Sequence, residues 1–172
     1  MSEPQNTTTV LAIDPGYDRL GWAVGSVKKR DVTPIAYDCI TTDRKKERFA
    51  RYETLATELE SIIKKHNPTV LAIEQLFFSK NTTTAMKVAE ARGVIFHLCS
   101  SYDMDIVEYN PGHIKQAVTG HGRADKRAVE KMVRAQLYLT NAKLLDDTLD
   151  ALAVLITHAA RSAFAKTIAA NT

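Results

Sequence analysis

The stretch Val10-Leu11-Ala12-Ile13-Asp14-Pro15-Gly16 places an acid directly after four apolar residues and directly before a turn. Four consecutive apolar residues are typical of a central strand that is covered on both faces, and proline followed by glycine ends a strand. We therefore expect a buried strand with Asp14 at its exposed end. An aspartate in this position can also be a simple turn residue that bonds the backbone. Acids elsewhere in the chain must decide between the two interpretations.

Two further segments carry such acids. Val70-Leu71-Ala72-Ile73-Glu74 repeats the pattern and delivers Glu74 at the carboxyl end of a second strand, where open α/β sheets place their ligand sites. Asp147 and Asp150 are three residues apart at the start of an apolar helical segment, so they share one helix face. Three elements of the fold therefore offer acids that can converge.

Composition indicates one compact domain. The chain has 172 residues, of which 45% are hydrophobic, and this suits a single domain over residues 1–172 with a core over about 8–162 and frayed ends. No apolar run approaches the roughly 20 residues of a membrane span, and the polar start lacks a signal-peptide core. We expect a soluble, cytoplasmic protein. Cys39 and Cys99 lack zinc-ligand or disulfide spacing, so both are expected in the core.

Charge is distributed unevenly along the chain. The net charge of +3 does not by itself indicate a nucleic-acid binder. Residues 110–134, however, carry six basic side chains against two acids: Lys115, Arg123, Lys126, Arg127, Lys131 and Arg134. This pattern predicts a basic surface beside the acids, although lysines on an exposed helix are also common as solvated surface.

The first half of the chain has the pattern of a meander followed by a helix and a strand. Residues 20–25 and 34–42 are predicted to follow the first strand as antiparallel neighbours. Asp43 is predicted to cap a helix with apolar residues at a 3.6 period, which ends at Asn67-Pro68. The strand that ends at Glu74 comes next.

The second half alternates helices with one more strand. A helix is predicted from Asn81 or Thr82 to about residue 100, with a stripe of small residues, Ala85, Ala89 and Gly93, that permits close helix contact and can equally face the sheet. A strand over 104–109, a helix opened by Asn110-Pro111, a basic helix over 123–139 and a last helix from about 146 follow, and the tail from 164 is expected to fray. The predicted fold is α/β, with a five-stranded mixed sheet flanked by helices.

Several short motifs occur in one order along the chain. They are Asp14-Pro15-Gly16 with Gly21-Trp22-Ala23, Ala72-Ile73-Glu74-Gln75 with Phe77, Ala91-Arg92-Gly93, Lys115-Gln116, Gly120 and Gly122 with Lys126, Asp147-x-x-Asp150-Ala151-Leu152-Ala153, and Ile156-Thr157-His158. This set resembles the RuvC family of bacterial Holliday junction resolvases over roughly residues 8–160. The resemblance implies a ribonuclease H-like nuclease domain. It also implies a structure-selective endodeoxyribonuclease that resolves Holliday junctions in recombination and repair.

The resemblance assigns roles to particular residues. It implies that Asp14, Glu74, Asp147 and Asp150 are the catalytic acids, that Lys115 and Lys126 lie near the active site, and that Phe77 acts on junction DNA. Lys80 in the same loop, with Arg123 and Arg127, completes the expected DNA-binding set. The chain departs from the family in its longer amino end and in Asp146, a fifth acid. We prefer Asp147 to Asp146 because only Asp147 shares a face with Asp150.

These residue types suit magnesium. Phosphodiester hydrolysis needs an activated water and a stabilised leaving oxygen, and two Mg²⁺ ions about 4 Å apart supply both. Four carboxylates without cysteine ligands fit Mg²⁺ better than zinc, with Mn²⁺ as a substitute. We expect Asp14 to bridge the two ions. A cut in each of two symmetry-related strands predicts a homodimer. The stripe of Ala85, Ala89 and Gly93 is the candidate contact between its two copies, and the resemblance adds the branch-migration proteins RuvA and RuvB as partners.

Other interpretations remain. Sugar kinases and actin-like ATPases also open with a strand ending in Asp-x-Gly, but they need a duplicated domain. A YqgF-like nuclease of the ribonuclease H fold, or a junction-binding module that does not cut, are the nearer alternatives. Phe77 and Phe78 can pack in the core instead of stacking on a base, and stacking is worth roughly 1–3 kcal/mol.

Overall fold

The protein is built on a five-stranded sheet with the strand order β3-β2-β1-β4-β5. The computed structural model describes residues 7–76, 82–139 and 143–170, and for 82–83 and 163–170 the backbone alone. The strands are β1 (Thr8–Asp14), β2 (Arg19–Lys28), β3 (Asp31–Thr41), β4 (Val70–Glu74) and β5 (Asp105–Tyr109). The helices are α1 (Arg48–His66), α2 (Thr82–Ser101), α3 (Pro111–Thr119), α4 (Lys126–Gln136) and α5 (Asp146–Ala170).

Strand β1 occupies the centre of the sheet, as the apolar stretch predicts. It pairs with β2 in antiparallel fashion and with β4 in parallel fashion, and residues 10–13 have no exposed surface. Val10 and Ala12 face a core formed mainly by α3, α4 and α5, whereas Leu11 and Ile13 face a second core under α1 and α2. Both faces of the central strands are therefore covered by helices, and the predicted mixed five-stranded sheet is confirmed.

Helix α1 begins later than predicted but ends where predicted. Asp43 does not cap it: the side chain accepts a hydrogen bond of 2.9 Å from the backbone N–H of Lys45, which forms a local turn before the helix starts at Arg48. Phe49, predicted to lie on the buried face, is 72% exposed because it lies in the first turn. At the other end Asn67 takes a left-handed conformation with φ 47°, and proline follows it.

Three other boundaries test the sequence patterns. Asn110 caps α3 as predicted, accepting a bond of 2.8 Å from the N–H of Gly112. Helix α4 begins at Lys126, and not at residue 123, because the Asp125 side chain caps it through the N–H of Ala128. Helix α5 runs from Asp146 to Ala170. In the described ranges none of these helices has the length and apolar character needed to cross a membrane.

The predicted small-residue stripe of α2 does not lie on one surface. Ala85 is buried within the chain's own fold, whereas Ala89 and Gly93 are exposed. A Cβ atom added to Gly93 would meet no atom within 4 Å. Of the two cysteines, which are both free thiols, Cys99 lies in the core and Cys39 is only partly buried on β3. The core prediction is therefore right for Cys99 and wrong for Cys39.

Candidate active site

Asp14 and Glu74 end neighbouring parallel strands at the same edge of the sheet. The ladder between β1 and β4 pairs Ile13 with Ile73, which places the following residue of each strand side by side. Burial, followed by the charges of Asp150, Glu74 and Asp147, raises the pKa of Asp14 to about 8, against the opposing charge of Lys126. Burial and Asp150 also raise the pKa of Glu74 to about 7, against the opposing effects of Lys115 and Arg92. The two acids therefore share a site where negative charge is disfavoured.

Gly21 brings the start of α5 to these acids. It pairs with Asp14 across the sheet, and a Cβ atom added to it would lie 1.8 Å from the backbone oxygen of Asp147. Only a residue without a side chain permits this contact between strand and helix. Because Asp150 follows three residues later on the same helix, both aspartates act electrostatically on Asp14. The four predicted acids are thus brought together from β1, β4 and α5.

The structure separates Asp147 from its neighbour Asp146. The Asp146 side chain is 64% exposed and pairs with Lys126 at 3.2 Å, whereas the Asp147 side chain is 19% exposed. Lys126 also lies 3.3 Å from the Asp150 carboxylate. Burial raises the pKa of Asp150, and the adjacent ammonium opposes that rise. Of the two adjacent acids, Asp147 is the one that interacts electrostatically with Asp14.

A cleft of about 250 Å³ opens beside the acids. Its polar lining consists of Glu74, Asp150, Lys115 and Lys126, and Val129 belongs to its apolar wall. The cleft therefore brings two predicted acids and both predicted lysines to one surface. Two of the other predicted DNA-binding residues, Arg123 and Arg127, are exposed nearby in the chain, at and before the start of α4. Phe77, Phe78 and Lys80 lie outside the described residues.

The donor set fits a divalent cation that prefers oxygen. In the described ranges no three His, Cys, Asp or Glu side chains are already placed to hold a metal ion. Among the same residues, however, Asp147 Oδ2 is buried without a hydrogen-bond donor. Arg19 Nε lies 3.0 Å from this oxygen, as an ion-pair contact off the hydrogen-bonding direction. A buried carboxylate oxygen without a donor, among other carboxylates, is suited to coordinate a hard cation.

Three residues at the site received no role from the sequence. Arg19 is distant from Asp147 in the chain, and only the sheet register and the Gly21 contact bring them together. Arg92 donates a hydrogen bond to the backbone oxygen of Glu74. Arg92 stood in the quoted motif Ala91-Arg92-Gly93, but its contact with Glu74 was not foreseen. Gly21 was part of a motif, but its close approach to Asp147 was not foreseen.

Residues 10–158 match the family model described as "Crossover junction endodeoxyribonuclease RuvC". The chain belongs to the RuvC family. It is 42% identical over 149 residues to the RuvC crossover junction endodeoxyribonuclease of Caldanaerobacter subterraneus subsp. tengcongensis, covering 87% of this chain and 90% of the relative. It is 44% identical over 150 residues to that of Caldicellulosiruptor saccharolyticus, covering 87% and 90%. The predicted family is therefore confirmed, and the chain is an endodeoxyribonuclease of this family.

A solved structure of the RuvC family shares the whole fold. Thermus thermophilus RuvC in complex with a Holliday junction substrate superposes with a TM-score of 0.86 at 29% identity. The match covers 92% of this chain and 96% of that protein. The ribonuclease H-like fold predicted for the chain is therefore confirmed.

Proposed function

We propose that this RuvC-family chain resolves Holliday junctions by hydrolysis that depends on two Mg²⁺ ions held by Asp14, Glu74, Asp147 and Asp150. The observation that carries the proposal is the convergence of these four acids from three elements. Clustered carboxylates with raised pKa values destabilise one another, and a bound cation removes that penalty. The relatives that share the fold are named as crossover junction endonucleases, and one of them was solved with a junction.

The residues of the chain have separable tasks in this reaction. Bound Mg²⁺ supplies an activated water and stabilises the leaving oxygen. Asp14 and Glu74 offer oxygen ligands from rigid strand ends, and Asp147 and Asp150 offer them from one helix face. Lys115 and Lys126 supply positive charge in the cleft for a substrate phosphate. Lys126 pairs with both Asp146 and Asp150, so its one positive charge only partly offsets the two carboxylates.

The basic surface around α4 supports binding of the DNA backbone. Arg123, Arg127 and Lys131 are exposed, and such residues contact phosphates without regard to sequence. Arg134 instead pairs with Glu130 within the helix at 3.0 Å. Phe77 and Lys80, in the segment that directly follows β4 and Gln75-Leu76, are proposed to contact the bases and phosphates at the junction centre.

We propose that the active form is a homodimer. A four-way junction has near two-fold symmetry, and an isologous dimer would place one acid cluster at each of two equivalent strands. On α2 the exposed residues Met86, Ala89 and Gly93 offer an apolar surface that a second copy of the chain can cover. Ala85 is excluded from this contact because it is buried in its own protomer. RuvA and RuvB are proposed partners in the cytoplasm, where the chromosomal substrate lies.

The dimer is tested with mixed protomers. A dimer of one wild-type chain and one Asp14→Asn chain should nick a single strand and leave the junction unresolved. Analytical ultracentrifugation with and without junction DNA gives the assembly state independently. Efficient paired cutting by a species that remains a monomer in both conditions contradicts the proposal.

The nuclease assignment is tested with matched substrates and neighbouring acids. A four-way junction should be cut with Mg²⁺ much faster than a duplex or a flap of the same sequence, and EDTA should abolish cutting. Asp147→Asn should lower cleavage by more than about 100-fold while binding of the junction in EDTA is kept, because a direct ligand is lost. Asp146→Asn is the matched control and should stay within a few-fold of wild type. The reverse order of the two variants would show that the acid is misassigned.

A further inference from the structure

Arg92 is a buried arginine that connects a helix to two strands beside the acids. It lies on α2 and is 6% exposed. Nη1 donates to the backbone oxygen of Glu74, and Nη2 donates to the Glu108 carboxylate on β5 as an ion pair. The guanidinium carbon lies over the ring of Phe96, 4.9 Å from its centroid. These three contacts hold the guanidinium in one place.

Arg92 contacts Glu74 at the point where β4 is no longer paired with β1. The ladder between β1 and β4 ends at the Ile13–Ile73 pair, one residue before Glu74. On the other side Glu74 pairs with Tyr109 of β5, and the N–H of Gln75 donates to the Tyr109 oxygen at 2.8 Å. Arg92 therefore supplies a hydrogen bond at the residue where the β1 ladder no longer does. Glu74 is also the last residue of β4.

A buried arginine at this position loses its hydration, and the ion pair that it forms brings little net stability in return. A buried ion pair is often no more stable than apolar side chains of the same volume. The carboxylate partner, Glu108, is itself 41% exposed, so water weakens the pair. Arginine differs from lysine in holding two acceptors at once through a planar fork, and here one acceptor is backbone and the other is on β5. The two-pronged guanidinium is therefore better suited to hold the backbone of Glu74 in place than to stabilise the fold.

We propose that Arg92, anchored by Glu108, is a positioning residue: it fixes the last peptide of β4 so that the Glu74 carboxylate enters the cleft oriented to bind a metal ion. This inference rests on the proposed metal-dependent nuclease function. Neither Arg92 nor Glu108 is among the residues that line the cleft.

The test compares metal affinity with cleavage in four proteins. Wild type, Arg92→Lys, Glu108→Gln and the control Asp105→Asn are titrated with Mn²⁺, and binding is followed by loss of the free-ion electron paramagnetic resonance signal. Single-turnover junction cleavage is measured over the same Mn²⁺ range, and junction affinity is measured in EDTA. Asp105 suits the control because it is an exposed acid on the same strand and, among the described residues, takes part in no ion pair.

Arg92→Lys keeps the charge but loses the fork, so we expect Mn²⁺ affinity about 10–100-fold weaker, as for other residues that orient a metal ligand. The metal concentration for half-maximal cleavage should rise by the same factor, and saturating Mn²⁺ should recover most of the rate. Glu108→Gln should shift both quantities in the same direction by a smaller factor. Asp105→Asn and all junction affinities in EDTA should stay within about two-fold of wild type.

A purely structural role gives a different result. Arg92→Lys would then lower the unfolding temperature and the active fraction but leave the Mn²⁺ midpoint unchanged, and this overturns the inference. If Arg92→Lys does not fold, Glu108→Gln still decides, because its side chain is exposed and an unchanged midpoint overturns the inference equally. Wild type that binds Mn²⁺ without cutting junctions would refute the proposed function alone. Wild type that binds no Mn²⁺ would refute the proposed metal dependence and this inference with it, whereas an unchanged Mn²⁺ midpoint in both variants refutes the inference alone.

Discussion

Replacing Asp14 by asparagine should separate the stability of the metal-free protein from its activity. Asparagine has nearly the same volume as aspartate but no charge, so packing at the end of β1 is retained. Burial and three nearby acids raise the pKa of Asp14 from 3.8 to about 8. Without a metal ion the native aspartate is therefore a destabilising group at neutral and alkaline pH, and the variant removes it.

The sign and size of the effect follow from proton linkage. Between pH 3.8 and about 8 the folded protein holds a proton on Asp14 that the unfolded chain has released. The free energy of unfolding therefore falls as the pH rises through this window, by at most about 1.4 kcal/mol per pH unit and roughly 5 kcal/mol in total. Water penetration and local relaxation reduce the cost of a buried charge. We expect Asp14→Asn to gain about 1–3 kcal/mol at pH 8, and roughly a third of that at pH 5.

Urea unfolding followed by circular dichroism measures the gain, with EDTA present at both pH values. Asp31→Asn is the control, because it makes the same chemical change at an exposed position on β3. Added Mg²⁺ should stabilise wild type and have a much smaller effect on Asp14→Asn. Junction binding in EDTA should persist and cleavage should be lost. A variant less stable than wild type at pH 8, or one that cuts at a near wild-type rate, would refute the reasoning.

Four further substitutions test the charge at the site and the packing of α5 on the sheet. Gly21→Ala should push the start of α5 from β2 and lower both stability, by about 1–3 kcal/mol in urea unfolding, and cleavage, because the added Cβ meets backbone. Lys126→Gln should raise the pKa of Asp150 in a carboxyl NMR titration without metal, because the ammonium opposes that rise. A Cβ on Gly25 would lie 2.6 Å from Leu155 Cδ2. Gly25→Ala and Leu155→Ala together should therefore cost less in unfolding free energy than the sum of the two single changes.

The strands that carry Asp14 and Glu74 were predictable because each is defined by a short local pattern. A run of four apolar residues ending in an acid specifies both burial and the place where the acid emerges, and both runs are buried between two layers of helices. The family motifs then identified the helix that completes the site. The end of α1 was predictable for the same reason, because a residue before proline, here Asn67, is disfavoured in a helix by backbone sterics alone.

The start of α1 and the exposure of the residues on α2 could not be predicted from local sequence patterns. Asp43 is a residue type that often caps helices, but its side chain accepts a hydrogen bond from the N–H of Lys45 instead. The sequence alone does not reveal whether such a side chain bonds the nearby turn or the helix start. Ala85, Ala89 and Gly93 share a stripe by spacing, yet the helix packs so that Ala85 is buried and the other two are exposed. Packing of a helix against its neighbours sets such differences, and periodicity alone does not.

The basic residues around the acids show why the arrangement favours a divalent cation. Arg19 contacts Asp147, Lys126 contacts Asp150, and Arg92 holds the backbone of Glu74. Among the described residues Asp14 takes part in no ion pair, and its pKa of about 8 is higher than that of about 7 for Glu74. Each of these basic side chains contacts only one of the four acids, whereas a metal ion shared between acids would compensate several. Asp14 lies on the central strand and gains most from such an ion, which is why we expect it to be the bridging ligand.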